Sequence, residues 1–213
     1  WGAGAIGDMA VHSLDAPLRA LDLRGDYTVN AEAEGLTDIS WPTAARAVFD
    51  FPERNGRPAL KLRWFEGQWQ APRPEELGND EAGNPIELRK DGGCMYYGDK
   101  GILYSGHEHH AATPQLLPAE KMAQARKDKL IPPKTIPRVP RGSAYMNWMN
   151  LCRGKGLPGS DVADTAADVT IMALMGNLAM RTGKELKWDS ANGRVIGLPD
   201  EFAALIDKSY RNF

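Results

Sequence analysis

The chain has 213 residues, with 26 Lys and Arg against 28 Asp and Glu, so its formal net charge is −2. Apolar residues at 42% and charged residues at 25% are ordinary globular values, which excludes a disordered chain or a coiled coil. The near-neutral balance lacks the basic signature of a nucleic-acid binder, and no apolar run approaches the roughly 20 residues needed to span a bilayer. Neither nucleic acid nor a membrane is therefore expected as a partner.

The first residues, WGAGAIGDMAVH, carry no Met and no signal peptide, and this start is read as a cut inside a longer protein. A single domain over 1–213 is expected. Its first helix is placed at 5–23, where Ile6, Met9, Ala10, Leu14, Leu18 and Leu21 recur at three- and four-residue steps. Pro17 removes one backbone donor and predicts a kink or break, and Gly25 is expected to end the segment.

Three alternating segments follow at 27–34, 43–51 and 60–65. In the second, Ala45, Ala47, Phe49 and Phe51 share one face and Arg46, Val48 and Asp50 the other. Asn55-Gly56 is a hairpin turn signal, and strands in succession favour antiparallel pairing. Residues 67–92 form a long excursion rich in Pro, Gly, Asn and Asp. A second hairpin is expected from 94–97 and 102–104, then a short helix at 119–129 and an irregular, solvated Pro-rich stretch at 131–142. The last third reads as a helix at 143–153, a long buried helix at 161–182 that includes Val162, a strand at 186–188 and a helix at 199–208.

Several residues invite chemistry. Gly2-x-Gly4-x-x-Gly7 matches the dinucleotide fingerprint literally, but no strand delivers the chain to it and no strand-helix alternation follows. It is read as a Gly-rich entry to a helix. Asp8 and His12 lie four apart, one helical turn, and Asp15 joins their face. An imidazole beside a carboxylate handles protons, although the same spacing also suits an ordinary surface ion pair. His107-Glu108-His109-His110 lacks a spaced fourth ligand and reads as an exposed loop rather than a zinc site. Tyr145, Trp148 and Met149 at helical spacing read as core. Cys94 and Cys152 read as buried or half-buried thiols, neither a disulfide framework nor a CxxC pair.

The segment GAGAIGDMAVHSLD resembles the C-terminal domains of the Gfo/Idh/MocA oxidoreductases, whose first long helix carries Gly-Gly-x-x-x-Asp-x-x-x-His-x-x-Asp. Gly4, Asp8, His12 and Asp15 match, and Ala3 stands where the first Gly is usual. GGCMYYGDKGILYS (92–105), WMNLCRGKGLP (148–158) and LAMRTGKELKWD (178–189) resemble a bacterial subgroup of the same family, in the same order. The resemblance implies an α+β domain with an open, mostly antiparallel sheet and helices on one face, the dihydrodipicolinate-reductase-like C-terminal domain, with the N-terminal Rossmann domain absent. It implies NAD or NADP held mainly by that absent domain, a sugar or polyol substrate, and a homo-oligomer formed through the exposed sheet face. It makes His12 the catalytic acid/base with Asp8 beside it; Asp15 and Trp1 are taken as substrate-binding candidates. No metal is implied, and the family's Glu-Lys-Pro motif is not in this chain. Two alternatives stay open: a cofactor-assisted relative that cleaves glycosides or keto-sugars, and a non-catalytic assembly module. The compartment is open between cytoplasm and, with a signal upstream, periplasm.

Overall fold

A computed structural model describes residues 3–89, 92–106, 113–159 and 161–206. The chain gathers into two compact units, one from residues 1–72 and 168–213, the other from 73–167. Both combine α-helices with antiparallel sheets, the α+β class expected.

In the first unit, helix α1 (Gly4–Leu21) leads to strands β1 (Tyr27–Glu34), β2 (Ala44–Phe51) and β3 (Leu60–Gly67). The alternation expected in 43–51 holds from Ala45 onward, while Ala44 is buried as well. Ala45, Ala47, Phe49 and Phe51 are buried, and Arg46, Val48 and Asp50 lie on the opposite face. The β2–β3 hairpin closes where Asn55 and Gly56 both take positive φ, 52° and 73°, flanked by the pairing of Arg54 with Arg57. A Cβ on Gly56 would meet nothing within 4 Å, so Gly56→Ala isolates the cost of the left-handed backbone. Urea unfolding should show a loss of about 1 kcal/mol with an unchanged m-value.

Helix α4 (Ala167–Thr182) then leads to β7 (Leu186–Asp189) and β8 (Arg194–Ile196), and the five strands pair in the order β3-β2-β1-β7-β8, every pair antiparallel. Strand β8 was not anticipated, because three residues are too few to show alternation. The core lies between one face of this sheet and the helices α1 and α4. Ile6, Leu18, Phe49, Met172, Met175 and Leu186 are fully buried in it. Gly176 lets α4 come close, since a Cβ there would lie 2.5 Å from Ile6 Cδ1. Each such buried side chain contributes about 1.5–3 kcal/mol.

Two expectations about α1 are corrected. The helix runs across the buried Pro17 without the break that was one of the two expected outcomes there. The left-handed residue that ends it is Asp22 (φ 50°), three positions before Gly25. Arg54 holds that turn by donating to the Asp22 carbonyl.

The second unit contains the sheet β4 (Cys94–Gly98), β5 (Gly101–Ser105) and β6 (Gln115–Leu117), then helices α2 (Ala119–Lys127) and α3 (Ala144–Cys152). The expected hairpin and both helices are present, while β6 went unforeseen. Ser143 caps α3 by accepting from the Met146 backbone N–H at 3.3 Å, and the Pro-rich stretch before it is irregular and mostly exposed. Residues 162–166 are a π-helical turn in which Val162 is exposed, against the expectation of burial there.

The largest correction concerns α3. Tyr145, Trp148 and Met149 are exposed rather than core, and so is Cys152, while Cys94 is half-buried. Asn147 is what α3 buries instead. Its amide donates to the Leu157 carbonyl and accepts from the Gly159 N–H, both at 2.9 Å, and this pairing sets which face turns inward. The segment expected to be helical at 199–208 is a 3-10 helix over Asp200–Leu205, and 207–208 lie outside the described residues.

Candidate active site on helix α1

A helix leaves its first four N–H groups without partners, and α1 has no means of its own to satisfy them. Its N-cap is Ala3, no side chain caps it locally, and its first turn contains no acidic residue. Glu66, at the far end of β3, supplies the cap instead. Its Oε2 accepts from the Ile6 backbone N–H at 2.9 Å and from the Trp64 indole N–H at 2.7 Å. Glu66 is only 8% exposed, and burial pushes its carboxyl above the usual value while the two donors pull it back.

Two more elements fix the start of α1. Asn177 of α4 donates to the Ala3 carbonyl at 2.8 Å, and the Trp41 ring packs so closely that a Cβ on Gly4 would fall 2.9 Å from it. Trp41 is itself held by Arg181, whose guanidinium carbon sits 4.7 Å from the ring centroid and which donates to the Thr37 and Ser40 carbonyls. One end of this unit thus brings together the start of α1, the end of β3, the last turn of α4 and the β1–β2 loop.

Asp8, His12 and Asp15 stand on the outward stripe of α1, all exposed, at successive turns of one uninterrupted helix. Asp15 is tied to Arg19 at 3.2 Å, a surface pair of little energetic weight. A groove of about 560 Å³ opens beside Trp41, lined also by Thr37, Asp38, Arg181, Phe202 and Leu205. Asp8 and His12 do not line it. Trp1 lies outside the described residues, as do His107, His109 and His110. Among the described residues no group of His, Cys, Asp and Glu is arranged to hold a metal, and no helix is long and apolar enough to cross a membrane.

The geometry bears on the Gly4-x-x-Gly7 turn as well. A pyrophosphate at this turn would need the free N–H groups and positive end of α1. The Glu66 carboxylate already occupies that end, and a second anion beside it would be repelled in a poorly solvated place. A pyrophosphate at this turn would therefore have to displace the Glu66 carboxylate.

Glu66, Asn177 and Trp41 were not foreseen as parts of this site. Glu66 did leave a signal: it falls in phase with Leu60, Leu62 and Trp64, so a carboxylate sits on the apolar face of β3. Neither a protein-family model nor a curated protein matches this sequence.

Proposed function

We propose that this chain is the substrate-binding and proton-transferring part of an NAD(P)-dependent oxidoreductase of the Gfo/Idh/MocA type, acting on a hydroxyl or carbonyl of a sugar or polyol. The observation that carries the proposal is the placement of Asp8 and His12 one turn apart on the outward stripe of a helix whose start is held by three other elements. In this reading the five-stranded sheet with α1 and α4 is the dihydrodipicolinate-reductase-like C-terminal domain. A Rossmann domain outside this chain then holds the nucleotide, which supplies hydride acceptance.

His12 takes the substrate hydroxyl proton as the alcohol becomes a carbonyl and returns it in the reverse direction. Asp8, one turn away, favours the imidazolium that forms and orients the ring toward the substrate oxygen. Asp15 and Trp1 are assigned to the substrate's other hydroxyls. Copies pair through the outward face of the sheet, where Arg46 and Glu32 at 2.9 Å, and Lys61 with Asp50, neutralise one another around Val48 and Phe65.

The test is to incubate the intact protein with NAD⁺ or NADP⁺ and a panel of carbon-deuterated sugars and polyols, then weigh the recovered nucleotide by mass spectrometry. Transfer of one deuterium from a member of the panel is expected. Undeuterated nucleotide throughout, from a protein that still releases free sugar from glycosides, would select the glycoside-cleaving alternative instead.

A further inference from the structure

Helix α3 is amphipathic with its apolar side outward. Tyr145, Trp148, Met149 and Cys152 are spaced i, i+3, i+4, i+7 and so share one face, and Tyr145 is 82% and Trp148 67% exposed. The buried position belongs to Asn147, clamped to Leu157 and Gly159, so this face is held outward by specific hydrogen bonds. Ile136 and Leu157, before and after the helix in sequence, are exposed as well. A surface of this kind, unlike a lone exposed Leu, marks a place where another molecule binds.

Charge identifies the occupant. Residues 131–160 hold five basic side chains, Lys134, Arg138, Arg141, Arg153 and Lys155, and no acidic one. All five are exposed. The rest of the chain holds 21 basic residues against 28 acidic, a net charge of −7. Two such segments face to face would repel, whereas each complements the remainder of another copy, which is present at equal stoichiometry. We propose that the α3 face with its cationic flanks is a docking surface for the acidic surface of a second copy of this chain, distinct from the sheet face.

Sedimentation equilibrium of the 213-residue chain over a wide range of concentration tests this. Assembly beyond 23.4 kDa is expected, weakening in about 1 M salt. The double variant Tyr145→Ala/Trp148→Ala should weaken the α3-dependent step by at least about tenfold with unchanged circular dichroism. Val48→Asp, on the sheet face, should leave that step intact. In a Cys94→Ser background, the Cys152 thiol should react with a thiol reagent at least about tenfold more slowly once the chain assembles. A wild type that stays at 23.4 kDa, or a double variant that assembles as the wild type does, overturns the proposal. So does sedimentation of the unassembled chain with phosphatidylserine-phosphatidylcholine vesicles, which would assign the face to a membrane.

Discussion

His12→Ala is expected to cut turnover of the sugar or polyol by about 10²–10⁴-fold, the range for removing a positioned acid/base. The side chain is exposed on a helix stabilised by its opposite face, so the variant should fold as the wild type does, and circular dichroism separates lost chemistry from lost structure. Asp8→Asn should cost much less, about tenfold at most. Two charges about 4 Å apart in water interact by only about 1 kcal/mol, and both Asp8 and His12 face solvent. Near-wild-type turnover in His12→Ala would remove the proton-transfer role from α1, whereas an equal loss in the two variants would contradict the unequal roles given to them.

Glu66 should give the largest effect on stability, with a sign that depends on the replacement and on pH. Glu66→Leu leaves the Ile6 N–H without an acceptor in a buried place and the half-buried Trp64 N–H with a poorer one, a loss of about 2–4 kcal/mol. Glu66→Gln keeps an acceptor and removes the charge. An anion at a helix start is worth about 0.3–1 kcal/mol, up to about 2 when partly buried, and desolvating a carboxylate costs several. Desolvation wins, which is why the carboxyl titrates above its usual 4.5.

The folded protein thus binds the Glu66 proton more tightly than the unfolded chain does. The contribution of Glu66 to stability is fully present below the unfolded value and is lost as pH rises through the folded one. Glu66→Gln should therefore unfold at a higher temperature than wild type in mildly alkaline buffer, with the difference closing as the pH falls toward 4.5. Asp26, Asp80 and Asp189 act in the opposite sense. Hydrogen bonds from Ser190, Asn84 and Asn192 hold them below the usual carboxylate range, so both proteins lose stability together at still lower pH. A melting difference independent of pH would contradict the placement of the Glu66 charge.

The strands β1 to β3 were legible because each buries one face only, so side chains alternate with period two, and Asn55-Gly56 supplies the positive φ values that their hairpin needs. Helix α1 was legible for the matching reason at period 3.6. What periodicity alone could not show is the direction in which α3 faces. Its apolar spacing is that of a core helix, and its orientation is set by the Asn147 side chain reaching backbone 10 and 12 residues away. The cap of α1 was hidden for the same physical cause, since Glu66 lies 60 residues from the N–H it satisfies. Local pattern reports which face is apolar; long-range hydrogen bonds to buried polar groups decide how that face is used.

The most direct test of α1 as the substrate face is a nuclear magnetic resonance titration of the intact protein with sugars and polyols, following the His12 imidazole and the backbone amides of residues 8–15. A saturable shift of the His12 ring and of the amides on the Asp8–His12–Asp15 stripe is the predicted result. Shifts confined to the Trp41–Arg181 groove, with His12 unmoved by every compound, would contradict it.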